Sequence, residues 1–253
     1  MVTAVTVCVD MDDLLALTLP VNRDRFDHYI VVTSPKDTAT IQVAADCGDV
    51  TVLPTDAFWR DGAWFNKGAA INQALRMLHR GGQKENWVCL LDADIALPLE
   101  AGWLTPCLAS GTLYAPAGRR MVLNPDESVR RHDTYWSRYP LQPDRPWVAG
   151  YTLLFDLAAL KREDSIYPTD WKHAGGSDTD FCQRWPEDKR VLLPWEVLHL
   201  GPPQANWCGR TTGRIDGKAS RLAEVHERAM KRMLQDRQTY GLRRERITPK
   251  GVE

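Results

Sequence analysis

Two carboxylates separated by a single residue are the first pattern in this chain that suggests chemistry. In Trp87-Val-Cys-Leu-Leu-Asp-Ala-Asp-Ile-Ala-Leu-Pro98, the apolar run Val88 to Leu91 leads straight into Asp92 and Asp94. Four apolar residues without alternation predict a strand buried on both faces, as in the middle of a parallel sheet. Both aspartates then lie where that strand leaves the core, and in open α/β sheets ligands collect beside the carboxyl ends of the strands. Hard oxygen ligands held there suit Mg²⁺ or Mn²⁺, which can carry the phosphates of a nucleotide. The plain alternative is that one aspartate caps the next helix and the other is solvated.

Other signatures are missing. Asp10-Met-Asp-Asp stands where a dinucleotide-binding fold needs its glycine-rich turn. No Gly-x-x-x-x-Gly-Lys-Ser/Thr loop and no Gly-x-Ser-x-Gly elbow occur, which argues against a P-loop or a serine hydrolase. What remains is the Asp92/Asp94 pair, a strand containing Gly150, the run Gly175-Gly-Ser-Asp178, and His199 at a strand end.

The elements that must position these residues alternate. Val5–Val9 reads as a strand, Asp12–Leu17 as a short helix with acidic first-turn residues, and Tyr29–Thr33 as a second strand. Ser34-Pro35 predicts an N-cap and first-position proline for a helix ending near Gly48, followed by a short strand at Val50–Leu53. A polar-aromatic loop from Asp56 to Phe65 precedes a helix over Asn66–Arg80, where Ile71, Ala74, Leu75 and Leu78 fall on one face. Strand–helix alternation of this kind predicts an α/β fold with a mostly parallel sheet covered by helices.

In the second half a helix is expected over Leu99–Leu108, a strand over Leu113–Ala115, and a long irregular stretch from Asn124 to Pro146. Trp147–Phe155 reads as a strand with a glycine where backbone can approach a ligand. Gly175–Asp180 opens a helix through Phe181 and Trp185, and Val191–Leu193 and Val197–Leu200 are two short strands. Residues 201–219 are loop-like, and Ser220 caps a final helix with Leu222, Val225, Ala229 and Met233 as its apolar stripe.

Composition places the chain among ordinary globular proteins, with 43% hydrophobic and 26% charged residues. No run reaches the length of a membrane span, no signal peptide is evident, and the six cysteines are dispersed without a Cys-x-x-Cys pair. A reduced, cytoplasmic protein is the simplest expectation. Net charge is −1 but uneven: from Arg210 onward there are 12 Lys and Arg against 6 Asp and Glu, out of 32 and 33, leaving 20 against 27 before it. Such a tail suits either a polyanion-binding arm or a solvated Arg-rich helix.

Taken in order, Phe65-Asn66-Lys67-Gly68…Asn72, Leu90-Leu-Asp-Ala-Asp94, Gly150-Tyr151, Gly175-Gly-Ser-Asp178-x-Asp180 and His199 resemble the GT-A glycosyltransferases. The chain is similar to family-2-like enzymes and to the catalytic domain of β-1,4-galactosyltransferases, over roughly residues 1 to 200. The resemblance implies a Rossmann-like GT-A domain over 1–219, with 220–253 as a C-terminal helix and basic tail packed on it. It implies a metal-dependent enzyme that moves a sugar from a nucleoside diphosphate sugar, UDP-sugar favoured, to an acceptor hydroxyl, with inversion.

Residue by residue, the resemblance makes Asp92, Asp94 and His199 ligands of Mn²⁺ or Mg²⁺, with Ala93 in the same motif. It makes Asp178 the base that deprotonates the acceptor. Val9, Asp10, Ser34, Phe65, Asn66 and Lys67 fall where the nucleotide is held, and Gly150 and Tyr151 beside the transferred sugar. Ser177, Asp178 and Trp171 fall on the acceptor side. Family members often carry Glu or Asp where Ser177 stands, so acceptor recognition departs here.

Each role has a plain counterpart: a hydrogen-bonded core histidine for His199, a helix N-cap for Asp178, a solvated lysine for Lys67, a strand kink for Gly150. Trp136, Trp147, Trp171 and Trp207 suit sugar stacking or the core. The acceptor stays open between a glycan or polysaccharide and DNA, for which the basic tail would serve. Two other readings are a sugar nucleotidylyltransferase, which usually shows a Gly-rich run after the first strand, and a non-catalytic nucleotide- or sugar-binding module.

Overall fold

The computed structural model describes residues 1–81, 87–98, 108–130, 134–143, 150–160, 166–171, 176–202, 206, 210, 212–220, 227, 228, 231 and 235. Nine strands among them form one sheet in the order β3-β2-β1-β4-β8-β6-β9-β5, with β7 paired to β6. β1 (Val2–Val7), β2 (His28–Thr33), β3 (Thr51–Pro54) and β4 (Trp87–Leu91) run parallel. β8 (Thr152–Asp156) joins β4 antiparallel, and β6 (Leu113–Val122) and β9 (Arg190–Leu200) are parallel to each other. The helix-flanked α/β sheet is the architecture expected.

Why the first half closes this way follows from the strand period. In β1, Val5 faces one cluster and Ala4 the other, because successive side chains leave opposite faces. Val5, Ile30, Val32, Val88 and Leu90 meet Ile71, Ala74, Leu75 and Leu78 of α3 (Lys67–Arg80) on one side. Ala4, Tyr29, Val31, Cys89 and Leu91 meet Leu15 and Leu19 of α1 (Asp12–Asn22) and Ala44 of α2 (Thr38–Cys47) on the other. The sheet is thus covered on both faces around β4, which lies between β1 and β8 and delivers Asp92 at its carboxyl end.

Several boundaries differ from expectation, each for a physical reason. α1 runs to Asn22 with Pro20 inside it. Pro20 has no N–H for the carbonyl of Ala16, and Arg130 Nη2 donates to that oxygen at 2.9 Å instead. α2 opens at Thr38, not at Ser34-Pro35: residues 34–37 form a turn, and Asp37 caps the helix by accepting from Thr40 N at 3.2 Å. The expected strands Val191–Leu193 and Val197–Leu200 are one strand, β9. Pro194 falls in a register irregularity opposite Pro116–Gly118, so the bulge absorbs a residue that cannot donate to the ladder.

β6 is ten residues long, well beyond Leu113–Ala115. The stretch from Asn124 to Pro146 carries two single-turn 3₁₀ helices, Glu127–Arg130 and Thr134–Arg138, and a short strand β7 (Leu141–Pro143). β8 begins at Thr152, after Gly150 and Tyr151 have passed in a turn. α4 is short (Ser177–Cys182), and Trp185 lies beyond its end. The helix expected over 99–108 and nearly all of the final helix and tail lie outside the described residues. Among those described, no helix is long and apolar enough to cross a membrane, and Cys8, Cys47, Cys89 and Cys182 form no disulfide.

Gly68 sits in the first turn of α3 with no room for a side chain. A Cβ there would lie 2.0 Å from the carbonyl oxygen of Pro168. Gly68→Ala is therefore expected to lose about 2–3 kcal/mol of stability, the upper range for overpacking. Urea denaturation checks this, and an unchanged midpoint would mean the 166–169 segment is free to move away.

Candidate functional site

The turn after β4 is held from both sides. Asp92 N donates to Tyr151 O at 2.9 Å, Ile95 N closes back onto Asp92 O at 3.2 Å, and Leu200 N donates to Asp94 O at 2.8 Å. The two-residue strand β5 (Ile95–Ala96) pairs Ile95 with His199, which brings Asp94 beside the imidazole. Asp94 Oδ2 lies 3.8 Å from His199 Nε2, and both side chains are almost fully buried. Asn206 Nδ2 reaches the same oxygen at 3.5 Å.

Burial pushes the His199 imidazole below its ordinary value; Asp94 opposes this and Arg119 adds to it. The ring is therefore neutral at pH 7, with a lone pair to offer. Among the described residues its buried Nδ1 has no hydrogen-bond partner. Arg119 itself lies over the ring of Tyr151, 5.0 Å from its centroid. Hydrogen bonds with the backbone of Gly201 and of His199 itself oppose the shift, so the imidazole is held by the fold while Nε2 faces Asp94.

The second group centres on Lys67. Its ammonium is 2.7 Å from Asp92 Oδ1 and 3.4 Å from Asp178 Oδ1. Burial would lower the Lys67 ammonium, but Asp178 and Asp92 outweigh it and hold it above its ordinary value. Lys67 is thus not a solvated first-turn lysine; it ties the metal-motif carboxylate to the expected base. Desolvation pushes the Asp92 carboxyl up to about 7, with Lys67 opposing and the charges of Asp178 and Asp94 adding to it.

Asp178 is not the cap of α4. That position belongs to Gly176, at φ +100°, and no side chain caps the helix. The carboxylate instead accepts from Tyr167 Oη and faces Gly150, where a Cβ would fall 2.1–2.5 Å from its atoms. Gly150 is therefore the backbone window for the Asp178 side chain rather than a kink inside a strand. Tyr167 was not legible as a site residue: nothing in its spacing marks it, and only the fold brings it to Asp178.

The remaining sequence candidates separate. Phe65 stacks on Phe58 at 5.3 Å in the core, and Val9 and Ala93 are core residues as well. Asn66 caps α3 by accepting from Ala69 N at 2.9 Å, and its amide donates to Thr169 O at 2.8 Å, so its polar atoms serve the fold. Ser34 accepts from Lys36 N at 3.3 Å inside the turn before α2. Tyr151 borders Asp92, and Ser177 is buried at the start of α4. Trp171 donates to Asp180 Oδ2 at 2.7 Å and lies over Gly176. Trp136 packs on the Leu14–Leu17–Val21 cluster, and Trp147 and Trp207 lie outside the described residues.

Asp10 takes a left-handed backbone (φ 59°), which Asp tolerates better than most residues. Its carboxylate meets Arg214 Nη1 at 3.4 Å and Ser220 Oγ at 2.5 Å. Arg214 also pairs with Asp12 at 2.8 Å, and Arg210 pairs in bidentate fashion with Asp13. Two arginines of the basic C-terminal excess are thus consumed by the acidic run Asp10-Met-Asp-Asp. The complementary charge excesses of the two segments were the only sequence signal for this contact.

In kind, Asp94 and a neutral His199 whose Nε2 faces it suit a divalent cation, and Asp92 stands two residues away. Among the described residues, however, no three carboxylate, histidine or cysteine side chains converge on one point. The reason is visible: Asp92 turns to Lys67. Asp94 and His199 face each other as a pair, while the Asp92 carboxylate is paired with Lys67.

No family model matches the chain, and no curated protein matches it. Solved structures do. The galactosyltransferase LgtC in complex with donor and acceptor sugar analogs is 14% identical, with 90% of this chain and 96% of that one covered at a TM-score of 0.43. Glucosyl-3-phosphoglycerate synthase from Mycobacterium tuberculosis, in complex with Mn²⁺, UDP and glucosyl-3-phosphoglycerate, is 16% identical, covering 80% and 73% at 0.45. A 4-diphosphocytidyl-2C-methyl-D-erythritol synthase is 16% identical, covering 89% and 98% at 0.44. At this level of similarity the function has to be read from the chain's own residues.

Proposed function

We propose that this chain is a glycosyltransferase that moves a sugar from a nucleoside diphosphate sugar, UDP-sugar in the first instance, to an acceptor hydroxyl. The observation that supports it best is Asp178. One of its oxygens is engaged by Tyr167 and Lys67, and Lys67 ties it to Asp92, two residues from the Asp94–His199 pair. A base, a fixed cation and a seat for a divalent ion stand together where strand ends meet. That is the equipment for expelling a diphosphate while a hydroxyl attacks.

In this reading the acceptor O–H proton passes to Asp178 as the acceptor oxygen bonds to the anomeric carbon. The bond from that carbon to the phosphate oxygen breaks on the opposite side, and its electron pair leaves with the nucleoside diphosphate. Configuration inverts. Lys67 lies close enough to Asp92 to share in neutralising the leaving group's charge. Mn²⁺ or Mg²⁺ would be held by Asp94 and His199, with Asp92 joining when it turns from Lys67, and would supply further charge neutralisation.

Thermal shifts with UDP, GDP, CDP and dTDP, each with Mn²⁺, Mg²⁺ or EDTA, test the donor site. Ligand at about 100 times its Kd adds about 2.7 kcal/mol. One base stabilising only with metal is the expected result; no shift with any nucleotide would sink the reading. Release of nucleoside diphosphate rather than pyrophosphate then separates sugar transfer from nucleotidyl transfer.

The same assay carries a pH prediction. Without metal the Asp92 carboxyl sits at about 7, and a cation must displace its proton. Mn²⁺ affinity is therefore expected to rise about tenfold between pH 6 and pH 8. Burial holds His199 below its ordinary value, so it adds less to the slope than a solvent-exposed histidine would. Equal Mn²⁺ affinity at pH 6 and pH 8 would show that Asp92 is not a ligand.

A further inference from the structure

We propose that Tyr167 is the positioning residue of the base, fixing one oxygen of Asp178 so that only the other is free to take the acceptor proton. This rests on the glycosyl-transfer reading of the site. Tyr167 Oη donates to Asp178 Oδ1, and Lys67 Nζ lies 3.4 Å from the same oxygen. Oδ1 is thereby occupied twice. Oδ2 has no partner among the described residues and lies on the side of Gly150, where a Cβ would come within 2.5 Å of it.

The tyrosine is itself held with unusual completeness for a loop residue. Its backbone N donates to Asn72 Oδ1 at 2.7 Å, and its carbonyl accepts from Asn72 Nδ2 at 2.9 Å. One buried amide on α3 thus clips both polar groups of Tyr167, as a neighbouring strand would. Asn66 grips Thr169 O at 2.8 Å from the same helix, and Gly68 lets α3 approach Pro168. The ring is fully buried and stacks on Phe181 of α4, with centroids 4.4 Å apart and an interplanar angle of 25°.

α3, the 166–169 segment and α4 therefore form a closed chain of contacts that ends on Asp178. Burial, then Asp178, raise the Tyr167 phenol well above its ordinary value, so it remains a donor throughout the working pH range. A carboxylate with one oxygen pinned cannot rotate both lone-pair sets through the acceptor's position, and orientation is what a general base needs before basicity.

The test is a double-mutant cycle on turnover and on stability: wild type, Tyr167→Phe, Asp178→Asn and the double variant. UDP release from UDP-glucose and UDP-galactose with Mn²⁺ reads turnover, UDP–Mn²⁺ titration reads donor affinity, and urea unfolding reads whether each variant keeps its fold. Tyr167→Phe is expected to lower kcat roughly 10- to 100-fold with UDP affinity unchanged. The double variant should be no slower than Asp178→Asn alone, a non-additivity that marks two residues acting as a unit.

Wild-type turnover in Tyr167→Phe, or a double variant slower by the product of both effects, would overturn the positioning role while leaving the function reading standing. So would a UDP affinity that falls in parallel with kcat. A wild type that releases no UDP from either donor, with Asp178→Asn indistinguishable from it, would sink the function reading and the tyrosine's role with it.

Discussion

Asp178→Asn is expected to lower turnover by about 10³-fold, the middle of the range for losing a general base, while metal-dependent nucleotide binding stays near that of the wild type. The substitution is isosteric. The amide oxygen can still accept from Tyr167 Oη, so the side chain keeps its place against Gly150. Lys67 loses one of two carboxylate partners but keeps Asp92 at 2.7 Å, the shorter contact. What disappears is the ability to take a proton. Because Gly176, not Asp178, is the cap of α4, stability should change by less than about 1 kcal/mol. Single-turnover kinetics beside a UDP–Mn²⁺ titration decides the matter. Residual turnover above a tenth of wild type, or a parallel loss of UDP affinity, would remove Asp178 from the base's role.

How much of this was legible beforehand depends on whether a signal was local. The run Val88–Leu91 and the α3 face of Ile71, Ala74, Leu75 and Leu78 were read correctly, because burial on two faces and a 3.6-residue period leave their mark in adjacent residues. The split into Val191–Leu193 and Val197–Leu200 and the cap at Ser34-Pro35 misled, because a bulge at Pro194 and a competing cap at Asp37 depend on partners outside those stretches. The site divides in the same way. Asp94 and His199 were anticipated together, and the β5–β9 register does bring them together.

The contacts around Asp178 were not legible. Lys67 reaches it across 111 residues, and Tyr167 from a segment that Asn72 holds from 95 residues away. Phe65 and Asn66 show the opposite failure. They sit inside a motif that suggests ligand contact, yet one fills the core beside Phe58 and the other caps a helix. A motif marks a place in the fold; which of its atoms are free depends on neighbours that arrive from elsewhere in the chain.

The basic C-terminal region illustrates this most sharply, and it carries the second large effect. Arg210→Ala is expected to destabilise the protein by about 3–5 kcal/mol, the cost of breaking a buried ion pair from one side. The Arg210 side chain is fully buried and that of Asp13 nearly so. Nη1 and Nη2 donate to the two oxygens of Asp13, Nη1 also reaches Asp10 O at 3.3 Å, Nη2 reaches Gly213 O at 2.8 Å, and Nε reaches Thr212 O at 3.0 Å. All five N–H groups are therefore accounted for, a geometry only a guanidinium supplies. Truncation leaves Asp13 buried beside Asp10 and Asp12, whose carboxylates already share Arg214. Arg210→Lys should recover little, since an ammonium cannot span both oxygens and the carbonyls at once. Because the pair is dry, added salt should hardly change the loss. A polyanion-binding arm predicts the reverse: a negligible change in the urea midpoint, under about 0.5 kcal/mol as for an exposed charge, and a loss of polyanion affinity that deepens as salt falls. The urea midpoint of Arg210→Ala at low and high salt therefore decides whether this charge belongs to the fold or to a partner.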